Sequence, residues 1–304
     1  MADGNKDFVL KVDENTKENQ LYENADYEIF WTGIQQHKLD ELEQVLVARM
    51  LHLPARRMMD IGCGYGRLWE RYHAQCDEIV LLDSSKSLLQ QAYQRSGGRA
   101  ICLACDLHAI PFCDSTFDQV MMVRVLHHLP DTHAALSELS RLIAPGGHLL
   151  FSYCNKKNIE RVARWLIGKN PYHPYKLEPA WVWERFFMHH PRYIHQNLGN
   201  VGLQVRREMG AGVMDKIAGM LGKAGEKFPL GVSMAPLFAS QAIAPWIFVD
   251  AAKPGENMDV SMLPLEQLMQ CPQCRSGLQK NESGLFCSAC DTLYPLKDGV
   301  YHFI

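Results

Sequence analysis

Between Met58 and Tyr153 the chain alternates continuously apolar runs with amphipathic ones, and this rhythm limits the fold more than any other feature. The segments "EIVLLD" (78–83), "AICLACD" (100–106), "FDQVMMV" (117–123) and "GHLLFSY" (147–153) read as strands buried on both faces. Between them "SKSLLQQAYQ" (85–94) and "THAALSELSRLI" (132–143) read as helices. Leu39, Leu42, Leu46 and Met50 fall at helical spacing ahead of the first apolar run, which begins at Met58. Buried strands joined through helical crossovers predict an α/β fold, a mainly parallel sheet with helices on both faces. "LQVRREMG" (203–210) and "PWIFVDAA" (245–252) supply two further strands, for seven in all.

This α/β unit is expected over residues 38–253. Within it, about 154–200 reads as an inserted cover, rich in aromatic and basic residues and broken by Pro171, Pro174, Pro179 and Pro191. Residues 1–37 form an N-terminal segment in which Tyr22, Tyr27 and Trp31 are candidates for a lid. "KPGENMDV" (253–260) has the composition of a linker, placed at 254–262, and 263–304 is a second, small unit.

At 304 residues, 47% hydrophobic and with net charge −3, the chain can bury a sizeable core and is not basic throughout. The N-terminus "MADGNKDFVLKVDENTKENQ" has no apolar core of signal-peptide length, and no apolar run reaches the roughly 18 residues of a spanning helix. A cytoplasmic location is the expectation. Of ten cysteines, Cys63, Cys76, Cys102, Cys105, Cys113 and Cys154 are scattered through the α/β unit and read as small buried thiols.

The stretch "DIGCGYGRLWE" (60–70) sets glycines at 62, 64 and 66 where the first strand ends and a helix is expected to start. Such a loop turns tightly and lets a ligand approach the backbone at the carboxyl end of the sheet. The spacing is G-x-G-x-G, which is neither the G-x-G-x-x-G of dinucleotide sites nor a P-loop. Two carboxylates add to it. Asp83 ends the second strand, where it could accept from both hydroxyls of a ribose. Asp106 ends the third, where it could accept from an adenine amino group while the Leu107 N–H donates to a ring nitrogen. Capping of the next turn is the alternative role for either aspartate.

With "IPFCDSTFDQVMMVRVLHHLPD" and "LSRLIAPGGHLLFS" following in order, residues 57–153 resemble a class I S-adenosylmethionine-dependent methyltransferase, and the last strand pair extends the resemblance to about 253. The resemblance implies a Rossmann-like seven-stranded sheet with S-adenosyl-L-methionine as cofactor. It implies that Asp60 with the loop Gly62, Cys63, Gly64 and Gly66 holds the methionine part, Asp83 with Ser84 the ribose, and Asp106 with Leu107 the adenine. Arg124 stands where such enzymes place a residue facing the methionine part. Methyl transfer from a sulfonium asks chiefly for alignment of the acceptor, and needs a general base only for a protonated, weakly acidic one. Catalytic residues therefore stay unassigned. His127, His128 and Tyr153 are candidates near the site, with a structural role favoured for the histidines.

From 156 to 227 there are thirteen Lys or Arg against six Asp or Glu. That asymmetry suggests an anionic partner near the cover: RNA, a phosphorylated metabolite or a membrane surface. A small organic methyl acceptor is slightly favoured. A tRNA or rRNA substrate is the alternative, and a non-catalytic cofactor-binding scaffold a second.

The C-terminus carries Cys271-x-x-Cys274 and Cys287-x-x-Cys290 with twelve residues between the pairs. Four thiolates on two knuckles suit a closed tetrahedral Zn²⁺ site, and a unit of about forty residues gains its fold from such a metal. "QCPQC" and "CSACDTLYPLKDGVYHFI" resemble the small zinc-ribbon activator subunits of tRNA, rRNA and protein methyltransferases. This implies that the ribbon packs on its own methyltransferase domain or docks a partner protein.

Overall fold

Successive residues along each central strand enter different cores. Met58, Leu81 and Met121 face one hydrophobic layer, whereas Met59, Val80 and Val120 face the other. The computed structural model describes residues 34–183, 186–213, 228–256 and 263–304. Tyr22, Tyr27 and Trp31, and most of the 254–262 segment, lie outside the described residues.

Helix α1 (Ile34–Met50) precedes β1 (Ala55–Ile61), followed by β2 (Cys76–Asp83), α2 (Lys86–Ser96), β3 (Ile101–Ala104), β4 (Phe117–Met122), α3 (Thr132–Leu142) and β5 (Ile143–Cys154). Side chains cap these helices: Ser85 accepts from Leu88 N–H at the start of α2, and Asp131 accepts from Ala134 N–H at α3. Next come α4 (Ile159–Leu166), the hairpin β6 (Ala180–Trp183) and β7 (Phe186–Met188), α5 (Pro191–Asn200), β8 (Gln204–Ala211), α6 (Phe228–Ser240) and β9 (Trp246–Ala252). The main sheet runs β3-β2-β1-β4-β5-β9-β8, with β1 to β5 parallel and β9 antiparallel to both neighbours. α1 and α2 cover one face, α3 and α5 the other.

One expected element is absent. No α-helix follows the glycine loop; residues 69–71 and 73–75 form two short 3₁₀ turns. Trp69 lies in the first of these turns and Tyr72, whose φ of −139° breaks the helical path, between the two; both rings are buried in the α1 layer.

The C-terminal residues form β10 (Gln279–Asn281), β11 (Gly284–Cys287), β12 (Thr292–Lys297) and β13 (Val300–His302). Strand β13 pairs in parallel with β3, Val300 opposite Cys102 and His302 opposite Ala104, so the sheet continues through the C-terminal unit to eleven strands. Further backbone bonds join the two parts: Cys113 N–H to Leu268 O at 2.9 Å, Gln270 N–H to Pro111 O at 3.0 Å, and Phe303 N–H to Ala104 O at 2.8 Å. Leu268, Met269, Leu285 and Tyr294 belong to the same apolar cluster as α3. Two stretches separated by a linker-like sequence thus share one sheet and one core.

Candidate functional site

The glycine loop is held by its neighbours at the carboxyl end of β1. Gly62 N–H and Cys63 N–H both donate to Leu82 O on β2, at 2.7 and 3.1 Å. Gly62 has φ +67°, and a Cβ there would overlap the Val125 side chain, so glycine is required on two counts. Asp60, Gly62, Cys63, Gly64 and Arg124 line one cleft together with Tyr65, Arg67, Leu68 and Val123. Gly66 follows in the same loop, its N–H donating to Cys63 O at 3.0 Å.

Asp60 is fully buried, and its carboxylate accepts from the Tyr72 hydroxyl at 2.8 Å. Burial raises its pKa to about 7, against the lowering influence of Tyr72 and Arg67. The cleft therefore holds a carboxyl group poised to ionise when a cation arrives.

Asp83 is half-buried at the end of β2. It accepts from Gly64 N–H at 2.8 Å and from Ser85 N–H at 2.9 Å, which ties β2 to the glycine loop, and Ser84 lies beside it. Asp106 accepts from His108 N–H at 2.9 Å and contacts the His108 ring at 3.0 Å, so it caps a short 3₁₀ turn while its side chain stays half-exposed. Leu107 next to it is buried. These residues stand at the ends of three neighbouring strands, β1, β2 and β3. Asp83, Ser84, Asp106 and Leu107 are outside the lining of the cleft at Asp60.

The sequence reading missed what closes that cleft. Glu43, on α1 and fully buried, pairs with both Arg67 and Arg124, and Arg67 also pairs with Asp40. The Arg124 guanidinium lies 3.4 Å over the centre of the Trp246 ring. Its backbone has φ +65°, unusual for a residue with a side chain, and its N–H donates to Ser152 Oγ at 2.9 Å. Glu43 shares the helical face of Leu39, Leu46 and Met50, where the pattern expects an apolar residue, and Asp40 lies beside that face. Their pairing follows only once α1 lies over the loop.

Beyond Arg124, His127 is buried against His128, Phe186 and Trp246, with ring centres 3.9, 4.6 and 5.2 Å away. Burial first, then the charges of His128 and Arg124, push its pKa well below the usual imidazole range, so the ring is neutral. Its Nδ1 has no hydrogen-bond partner among the described residues. Tyr153 is buried in the same apolar cluster as α3.

The four C-terminal cysteines meet at the base of the β10–β12 unit, with their sulfurs all within 4.8 Å of one another. Arg275 and Asp291, each one residue past a Cys-x-x-Cys pair, have φ of +63° and +51°, so the two turns repeat the same backbone geometry. The Tyr294 hydroxyl lies 3.2 Å from Cys271 Sγ. Hydrogen bonding to Ser276 lowers Cys274 to about 6, while Cys274 and the other sulfurs push Cys290 up to about 12. Four thiols this close cannot all ionise without a cation, and the donor set and geometry fit a closed Zn²⁺ site.

A family model described as a methyltransferase domain matches residues 59–151, and one described as Trm112p-like protein matches residues 265–299. The chain joins a class I S-adenosylmethionine-dependent methyltransferase domain to a Trm112-like zinc-binding module. The malonyl-[acyl-carrier protein] O-methyltransferase of Salmonella typhimurium is 32% identical to the chain over 148 residues, 48% of this chain and 57% of that protein. The ubiquinone biosynthesis O-methyltransferase of Alkalilimnicola ehrlichii is 34% identical over 125 residues, 40% of this chain and 51% of that protein. The chain thus spans about half the length of the curated relatives it matches. The fold also resembles that in the complex between the Haloferax volcanii Trm112 methyltransferase activator and a methyltransferase. There the TM-score is 0.51 at 16% identity, over 74% of this chain and 97% of the other. No helix among the described residues is long and apolar enough to cross a membrane.

Proposed function

We propose that the methyltransferase domain binds S-adenosyl-L-methionine along the carboxyl ends of β4, β1, β2 and β3 and passes its methyl group to a small organic acceptor. The observation that carries this reading is the placement of Asp60, Asp83 and Asp106 at the ends of three adjacent strands. Neighbouring strands lie about 4.8 Å apart, so these carboxylates span about 10 Å, the reach of an amino acid joined to a nucleoside. Asp60 and Gly62 to Gly66 would hold the methionine ammonium and carboxylate, Asp83 with Ser84 the ribose hydroxyls, and Asp106 with the Leu107 N–H the adenine. Arg124, whose left-handed backbone is locked by Ser152, would present its guanidinium to the methionine carboxylate in exchange for part of its pairing with Glu43.

The acceptor would lie beyond Arg124, against the wall of His127, Phe186 and Trp246. An apolar, aromatic wall with a neutral imidazole suits a flat or acyl substrate better than a polyanion, and matches the O-methyltransferase relatives. A bound sulfonium is already activated, so in-line alignment by this wall would supply much of the rate. The Trm112-like module, with Zn²⁺ on Cys271, Cys274, Cys287 and Cys290, would act in cis by sealing the β3 edge.

Methyl-labelled S-adenosylmethionine incubated with the protein and an extract of cells lacking it tests the reading. Label is expected in the small-molecule fraction. Label confined to RNA would overturn the acceptor class, and cofactor binding with no transfer would leave a scaffold.

A further inference from the structure

Helix α4 directs its apolar side at solvent. Ile159, Val162, Ala163 and Leu166 fall along one side at helical spacing, yet no residue of α4 is buried. Ile159, Leu166 and Ile167 are 59, 71 and 65% exposed. Tyr175, in the loop after α4, and Trp181, on the β6-β7 hairpin, are exposed as well. Five of the ten exposed large apolar side chains among the described residues thus fall within residues 159–181.

This stretch is held in place. Asn158 caps α4 by accepting from Arg161 N–H, and Asn170 Nδ2 donates to Arg161 O and to Tyr172 O. The Trp165 ring packs on His173 and Tyr175, and the Tyr172 hydroxyl reaches Met188 Sδ on β7 at 3.1 Å. The apolar side chains are therefore displayed by an ordered scaffold.

The rim is cationic. Residues 156–200 contain eight Lys or Arg and three Glu, within a chain of net charge −3; of these Lys156 is buried, donating to Glu178 O, and Glu178 is exposed. Arg164, Lys169 and Lys176 are exposed, and Lys157 Nζ lies 5.7 Å over the Tyr175 ring. A basic helix with protruding aliphatic side chains and aromatic residues at its edge has the character of an interfacial anchor. Nucleic acid would favour stacking rings over Ile and Leu at the centre of the patch.

We infer that α4 and the loop after it dock the protein on an anionic phospholipid surface. The aliphatic side chains enter the headgroup boundary, and Arg164, Lys169 and Lys176 contact lipid phosphates. The same hairpin that carries Trp181 outward packs Phe186 inward against His127. A membrane on this face therefore lies beside the aromatic wall of the cleft, where an amphipathic acceptor could enter. The docking itself is independent of whether the domain transfers methyl groups.

Flotation of the full-length protein with vesicles of phosphatidylglycerol or of phosphatidylcholine tests this. The protein should float with the first, only weakly with the second, and detach as salt is raised. A variant with Leu166→Asp and Ile167→Asp, and another with Arg164→Glu and Lys169→Glu, should each bind at least tenfold less while melting at the parental temperature, since all four side chains are exposed. The inference is overturned if the parent fails to float with phosphatidylglycerol, or if both variants float as well as the parent. It is equally overturned if the protein shifts tRNA in a gel but ignores the vesicles, or if Leu166→Asp with Ile167→Asp merely dissociates a dimer that never bound lipid.

Discussion

Replacing Asp60 with Asn should reverse the stability order of the two proteins as pH rises. In the folded chain the carboxyl titrates near 7 because burial outweighs Tyr72 and Arg67, against 3.8 when free. A folded pKa above the unfolded one means that ionisation works against folding. The penalty is absent below about pH 3.8, grows as pH rises, and is complete above about 7. It amounts to about 4 kcal/mol near pH 8 and about 1.7 kcal/mol near pH 5. Asn keeps an oxygen to accept from Tyr72 but adds a buried amide that costs about 1–3 kcal/mol if unpaired. That cost does not change with pH. The informative quantity is therefore the swing: relative to the parent, Asp60→Asn should gain about 2.5 kcal/mol between pH 5 and pH 8. Urea denaturation of the cofactor-free proteins at both pH values measures it, and the other carboxylates cancel in the comparison. A stability difference that stays level with pH would refute the claim that Asp60 is held near neutral pKa by burial.

The same carboxyl predicts that affinity for S-adenosylmethionine rises with pH through about 7 in the parent and is level in Asp60→Asn, because the ligand ammonium favours the ionised form; calorimetry at several pH values reads this directly. Asp83→Ala should weaken cofactor binding tenfold or more, through loss of bonds to a charged acceptor and of the Gly64 tether; unaltered affinity would remove Asp83 from the ribose site. Cys287→Ser should abolish zinc binding, read by metal analysis of parent and variant, and lower the melting temperature of the whole chain, since β13 is a strand of the shared sheet. Gly299→Val places a side chain at φ +80° where a Cβ overlaps the Tyr93 ring; a loss of about 2 kcal/mol or more, with faster proteolysis at the module, is the expected result.

Much of the sheet is legible in the chain because buried parallel strands must be apolar throughout and their crossovers must be amphipathic. "EIVLLD" falls within β2, "FDQVMMV" covers β4, and "PWIFVDAA" contains β9. The helix expected after the glycine loop is replaced by two 3₁₀ turns that break at Tyr72, although Arg67 to Tyr72 has a helical composition, so the local sequence carries no signal for the break. The cysteine cluster was legible for a different reason. Two Cys-x-x-Cys pairs close their own knuckles, so local spacing alone brings each pair of sulfurs together.

What the chain determines by itself is thus local: strand and helix periods, the turn that needs Gly62, the two cysteine knuckles and the excess charge after residue 155. Tertiary structure decided the rest. Glu43 is a buried partner of two arginines only because α1 crosses the loop. The pKa of Asp60 depends on the layer built by Tyr72 and its neighbours. The join between β13 and β3 could not be read from either stretch, because backbone pairing carries no side-chain signature. An edge strand of either unit is equally able to pair with solvent, a partner or itself, and the short connection that confines both units to one chain favours pairing within it.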